Sequence, residues 1–278
     1  MTTILKLWFS TIVTIFANLG ALLVFAAIYA FLLLSSYLFI SIREATIWQV
    51  LLTYALMFLI PPSFFALQAS IINRELDQKL HWRAILIDTL KFLAVTIPVL
   101  LLVWLLYYLL NKVAARYPAP IVAVAPAAHP ATPTPPVTPA LHWPSLIFST
   151  LRFALLGVAF PLATIHLWIA VAGGGFRSLL RFKRIGSALA AAFSSDSVLI
   201  YGLGLIIFFV LPYVALVPAF TVKGNKTEFV VFALRLLLAF LFSLLGWVIT
   251  LTALARNVLS VPTEVSSPVV AQPTEAAA

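Results

Sequence analysis

Residues 160–212 read FPLATIHLWIAVAGGGFRSLLRFKRIGSALAAAFSSDSVLIYGLGLIIFFVLP. In this stretch a short basic segment, which follows Gly173, Gly174 and Gly175, separates two apolar runs. An apolar run of about 20 residues is long enough to cross a lipid bilayer as a helix. The stretch therefore predicts a membrane span, a short basic helix at the membrane surface, and a second span.

The composition extends this interpretation to the whole chain. Of the 278 residues, 63% are hydrophobic and 9% are charged, whereas soluble domains are about 25% charged. Because so few charges do not cover a water-exposed surface, the predicted fold class is all-α, a polytopic helical membrane protein. The net charge of +9 is typical of Lys and Arg residues that flank spans and contact anionic lipids, and no nucleic-acid partner is expected.

The apolar runs predict six transmembrane helices in two halves. The first half, residues 1–111, has spans at about 9–40, 48–72 and 92–110, with an interfacial amphipathic helix at about 80–91. The second half, residues 145–256, has spans at about 146–172, 198–220 and 229–254, with an interfacial helix at about 176–193. The first run is too long for a secretory signal and too short for two spans, so it predicts one tilted helix with a weak point at Asn18 and Gly20.

Two segments have a different composition. Residues 112–144 are rich in Pro and Ala, which predicts an extended linker between the halves. Residues 257–278 are rich in Pro, Ser, Thr, Glu and Ala and predict a disordered tail.

The distribution of basic residues predicts the topology. Most Lys and Arg residues near span ends fall on the side that holds both termini and both interfacial helices. Because basic residues concentrate in cytoplasmic loops, both termini are predicted in the cytoplasm and the linker outside. The expected location is the plasma (inner) membrane of a bacterium.

Two arginines lie inside predicted spans, where a charge is costly. Arg152 and Arg235 are each about two turns into a span from the outside. One hypothesis is that together they hold one anionic group, such as a lipid phosphate or a partner carboxylate. The simpler interpretation is that each side chain extends separately to the outer headgroups.

Other candidate residues lie toward the cytoplasmic side. His166 follows Arg152 by 14 residues, nearly four helical turns, which puts both on one face as a polar stripe; a hydrogen-bonded packing histidine is the simpler interpretation. The second interfacial helix carries a set of basic residues predicted to contact the inner leaflet: Arg177, Arg181, Lys183 and Arg184.

The chain carries no recognised catalytic motif and no cysteine, so neither catalytic residues, nor a metal site, nor a cofactor is expected. The expected function is therefore non-enzymatic: a membrane scaffold, a subunit of a complex, or a lipid-interacting protein. Its expected partners are the bilayer, anionic lipids and a membrane protein. The alternative is a small transporter or channel subunit with kinked helices, because similar hairpins with mid-span prolines, Pro61 and Pro161, occur in both halves.

Overall fold

The computed structural model describes residues 2–43, 45–77, 81–118, 142–175, 182–217 and 225–260. No β-strand occurs among them, which confirms the all-α fold class. The α-helices are α1 (Thr2–Phe16), α2 (Leu19–Ser41), α3 (Ile47–Asp77), α4 (Trp82–Ala114), α5 (Trp143–Arg152), α6 (Phe160–Gly174), α7 (Phe182–Ala192), α8 (Ser195–Leu205), α9 (Leu211–Leu216) and α10 (Asn225–Ser260). Most of the predicted linker and nearly all of the predicted tail lie outside the described residues.

Among the described residues, six helical stretches are long and apolar enough to span a membrane, as the sequence predicts. These spans one to six are Leu19–Ser41, Ile47–Leu76, Trp82–Ala114, Trp143–Gly174, Ser195–Leu216 and Lys226–Leu259. Large apolar side chains, such as Leu23, Phe58 and Leu101, point outward from the bundle. An outer surface of this kind suits lipid rather than water, so the fold is compatible with a multi-pass membrane protein.

The first span differs from the prediction of one helix over about residues 9–40. The chain forms α1 and α2, and Asn18 between them has the non-helical angles φ −122° and ψ 61°. Asn competes for backbone hydrogen bonds with its own side chain and so favours helix ends. The break lets α1 pack against α10, where Trp8 and Ile15 are buried. Gly20, the other predicted weak point, lies within α2.

The interfacial helix predicted at about 80–91 is not a separate element. Residues 82–114 form one helix, α4, which joins the polar segment to span three. The reason is that neither Gly nor Pro stands between Trp82 and Pro98 to end the helix. The second interfacial segment does contain a separate helix, α7, which ends before Ser194 caps α8 through Ser197 N (3.3 Å).

Buried side chains concentrate at one end of the bundle, here called the α1 end. The buried parts of the long helices are residues 65–74 of α3, 85–96 of α4, 162–171 of α6 and 244–255 of α10. Each of these stretches lies toward the side on which α1, the end of α3 and the start of α4 are found. The opposite half of the bundle has fewer buried side chains.

A polar network ties α1 to α3 and α10 at this end. Arg256 of α10 forms a two-point ion pair with Glu75 of α3, with Nε–Oε2 at 2.7 Å and Nη2–Oε1 at 3.2 Å. Its Nη1 donates to the hydroxyls of Thr11 and Thr14 on α1, each at 3.4 Å. Nη2 of Arg74 donates to the Thr14 carbonyl at 3.4 Å.

Two π-helical segments interrupt spans four and five, and each ends just before a proline. The segments are Phe153–Ala159, before Pro161, and Ile206–Val210, before Pro212. Proline has no backbone N–H and its ring clashes with the preceding turn, so a locally wider helix accommodates it. Pro61 and Pro62, in contrast, lie within the α-helix α3, so the two predicted hairpins differ in detail.

Spans five and six approach each other closely at two glycines. A Cβ added to Gly204 of α8 would lie 2.6 Å from Cγ2 of Thr250 on α10. A Cβ added to Gly246 would lie 2.8 Å from the backbone nitrogen of Phe208 in the second π-helical segment. Small residues allow helix backbones to approach in this way.

Candidate intramembrane binding site

Three adjoining cavities lie along α10. Cavity A, of about 540 Å³, lies among α2, α9 and α10. Cavity B, of about 160 Å³, shares Tyr29 and Ser243 with cavity A. Cavity C, of about 370 Å³, shares Phe64 and Trp247 with cavity B and reaches α4 and α6. The shared walls make A, B and C one series of apolar spaces.

The walls of the series carry no charged side chain among the described residues. Their polar groups are few, and several are paired with one another. Tyr29 Oη donates to Ser243 Oγ at 2.8 Å, and Trp168 Nε1 donates to Thr96 Oγ1 at 2.9 Å. Apolar walls with a few placed polar groups are the usual lining of a site for a hydrophobic ligand.

Aromatic contacts hold the walls of cavity C. The Trp168 ring stacks on Phe92 with centroids 5.7 Å apart and meets Phe64 edge-on at 6.2 Å. Trp247, which lines cavities B and C, meets Phe208 of cavity B edge-on at 5.1 Å. Such offset and edge-to-face pairs add to the free energy of packing and favour a preformed cavity.

Cavity B contains the most unusual polar group of the series. Gln68, fully buried on α3, accepts a hydrogen bond at its Oε1 from Trp247 Nε1, at 2.7 Å. Its Nε2 has no hydrogen-bond partner among the described residues. The sequence interpretation considered charged residues and His166 within spans and so missed this neutral amide, although Gln68 stands among apolar residues in FFALQASII.

Arg152 contacts span three. Its Nη2 donates to Asn111 Oδ1 at 2.7 Å, and its guanidinium carbon lies 5.9 Å from the Tyr107 ring centroid. Arg152 Nε, which is buried, has no hydrogen-bond partner among the described residues. Arg235 is partly buried on α10, and no hydrogen bond or ring contact joins it to Arg152 in the described residues. Their joint binding of an anionic group stays a prediction.

His166 is buried on α6, and its Nε2 lacks a hydrogen-bond partner among the described residues. The 14-residue spacing from Arg152 no longer implies a shared face, because the π-helical segment Phe153–Ala159 lies between them and changes the helical register. A polar stripe that joins Arg152 and His166 stays a prediction, and the spacing of the two residues no longer supports it.

Only part of the predicted basic surface can be placed. Lys183 and Arg184 lie on α7 with exposed side chains. Arg177 and Arg181 lie outside the described residues. The apolar side of α7 packs through Ile185 and Ala188 near Val171 of α6. Contact of these basic residues with the inner leaflet stays a prediction.

The described residues contain no group of three or more His, Cys, Asp or Glu side chains placed to hold a metal ion. No protein-family model, curated protein or solved structure matches the chain.

Proposed function

We propose that this chain is a non-enzymatic, multi-pass membrane protein that holds the apolar part of a lipid between its helices. The observation that carries this proposal is the series of cavities A, B and C, whose adjoining walls are apolar. An acyl or isoprenoid chain is apolar throughout and matches apolar cavities that adjoin one another in this way. The other two functions expected from the sequence, a membrane scaffold and a subunit of a complex, are compatible with lipid binding.

The chemistry of the walls supports a binding role rather than catalysis. Hydroxyl nucleophiles require an adjacent base, and the Ser243 and Thr96 hydroxyls instead accept hydrogen bonds from Tyr29 and Trp168. Within the described walls of A, B and C no His, Asp or Glu stands beside them.

The proposed setting is the plasma membrane of a bacterium, with both termini and α7 on the cytoplasmic side. The bias of Lys and Arg toward that side supports this orientation. The exposed Lys183 and Arg184 favour anionic lipids of the inner leaflet as partners. A membrane-protein partner bound through residues 112–144 belongs to the same proposal.

A transporter or channel subunit is the second candidate function. The interruptions of spans four and five before Pro161 and Pro212 favour it, because broken helices line the sites of many transporters. It requires a water-accessible path, whereas the walls of A, B and C are apolar. Solute flux into liposomes that contain the protein would favour transport, and its absence together with retained lipid favours lipid binding.

Lipid retention by native mass spectrometry tests the proposed function. Ala27 and Ala30 on α2 are both exposed, but Ala30 lines cavity A and Ala27 does not line A, B or C. We expect the wild type and Ala27→Trp to retain bound lipid after mild extraction, and Ala30→Trp to retain less because the indole fills cavity A. Equal retention by the two variants would contradict the proposal.

A further inference from the structure

The orientation of the Gln68 amide follows from its partner. The indole Nε1 of Trp247 is only a donor, and it lies 2.7 Å from Gln68 Oε1. The bonded amide atom must therefore be the carbonyl oxygen, and the other amide atom must be the NH₂ group. Trp247 thus determines which end of the amide is left to donate.

This NH₂ group is a buried donor without a partner. Gln68 has an exposed fraction of 0%, it lines cavity B, and its Nε2 makes no hydrogen bond within the described residues. The other polar groups of cavity B, Tyr29 Oη and Ser243 Oγ, bond to each other. Buried donors in proteins are almost always paired with protein, water or ligand. Because Gln68 lines cavity B, that cavity is where an acceptor for this donor is expected.

The cavity walls also restrict the kind of ligand that can present this acceptor. A, B and C lack a charged side chain among their described lining residues, so a charged headgroup placed there would be unpaired and strongly disfavoured. Gln68 lies six residues before Arg74 on α3, which is about 9 Å along the helix axis. An acceptor bound to Gln68 therefore lies about 9 Å along the α3 axis from the charged Arg74, toward the middle of the span.

We propose that the series binds a neutral lipid that carries a carbonyl, with the carbonyl oxygen accepting from Gln68 Nε2 in cavity B and the apolar body in cavities A and C. This inference rests on the proposed function and narrows its ligand class. An ester and a quinone both present such a carbonyl on an apolar body.

Matched probes separate the carbonyl from the chain. Methyl oleate carries one ester, octadecene has a similar chain without an acceptor, and a decyl-substituted benzoquinone carries quinone carbonyls. Affinities for the full-length protein in detergent are measured by native mass spectrometry. We expect the wild type to prefer a carbonyl probe over octadecene by about fivefold, the effect of one net hydrogen bond. The probe with the larger preference identifies the source as an ester or a quinone.

The variants assign the preference to Gln68. Gln68→Met keeps the length of the side chain and removes the donor, so the preference should fall to about onefold while octadecene still binds. The double variant Gln68→Met/Trp247→Phe removes the orphaned indole N–H as well and should behave in the same way. Ser63→Ala removes a hydroxyl from α3 at a position that does not line A, B or C and should keep the preference.

A spectroscopic measurement tests the bond in the wild type alone. The stretching frequency of a ¹³C-labelled ester carbonyl in methyl oleate should fall on binding, and the fall should be absent in Gln68→Met. Equal binding of all three probes without a carbonyl shift would overturn the inference, since water would then satisfy Gln68, and would leave the proposed function standing. Failure of the wild type to bind any of the three probes would overturn both.

Discussion

The hydroxyl of Tyr201 on span five donates to the carbonyl of Gly157 on span four, 3.1 Å away. Gly157 lies four residues before Pro161, so its carbonyl is the one that the missing N–H of proline leaves without its α-helical partner. A neighbouring helix thus supplies a hydrogen bond to a carbonyl whose α-helical donor is missing.

Removal of this hydroxyl should weaken the fold. We expect Tyr201→Phe to lower the free energy of unfolding by about 1 kcal/mol, because the part-buried Gly157 carbonyl within span four loses this donor. In a Pro161→Ala background the restored N–H serves that carbonyl, so the effect of Tyr201→Phe should shrink. Thermal unfolding of the four proteins in detergent measures this coupling, and strictly additive effects would contradict it.

The close approach of spans five and six predicts different effects at two neighbouring glycines. Gly204→Ala should destabilise by about 1–3 kcal/mol, because its methyl group would overlap the Thr250 side chain. Gly202 has no heavy atom within 4 Å of an added Cβ, so Gly202→Ala should be neutral or stabilising by up to about 1 kcal/mol. Unfolding in a denaturing detergent compares them, and equal stability of the two variants would refute the packing.

The ion pair between Glu75 and Arg256 should stabilise the α1 end. Its side chains are 11% and 23% exposed and form two hydrogen bonds, so Glu75→Gln should lower the free energy of unfolding by about 2 kcal/mol. The double variant Glu75→Gln/Arg256→Gln should lose less than the sum of the single changes, because no unpaired charge remains.

The matched control for this ion pair is Glu228→Gln, at an exposed position in the first turn of α10. Its thermal stability should stay near that of the wild type. A loss as large as that of Glu75→Gln would mean that the general loss of negative charge, rather than the pair, is responsible.

The proposed topology is open to a direct test because the chain has no cysteine. Single cysteines at Thr134 and Ser178, both outside the described residues, should react with a membrane-impermeant maleimide from opposite sides. Thr134→Cys is expected to react in intact cells, and Ser178→Cys only after the membrane is opened. Reaction of both in intact cells would overturn the orientation.

The two arginines within spans predict a specific lipid effect. If Arg152 and Arg235 hold one anionic group, Arg152→Gln and Arg235→Gln should each reduce retained anionic lipid, and the double variant should reduce it no further than the stronger single change. Native mass spectrometry measures the retained lipid. Unchanged retention in all three variants would favour separate contacts with the headgroups, with Arg152 held by Asn111.

The number of spans followed from the sequence because an apolar run of about 20 residues is a local property that sets the length of a helix in a bilayer. The positions of irregular helix before Pro161 and Pro212 were also partly predictable, because proline distorts the helical turn that precedes it and this effect is local. The continuity of α4 from Trp82 was missed because the change from polar to apolar residues at Phe92 is not itself a helix end.

The candidate site depended on the tertiary structure. Gln68 and Trp247 are 179 residues apart, and Glu75 and Arg256 are 181 apart, so neither pair is visible as a spacing. In a membrane the side chains that face lipid and those that face another helix are similarly apolar, and hydropathy does not tell which helices are neighbours. The sequence by itself determined that the chain forms six apolar helices; only their packing decided which polar groups meet, and which buried amide is left to donate.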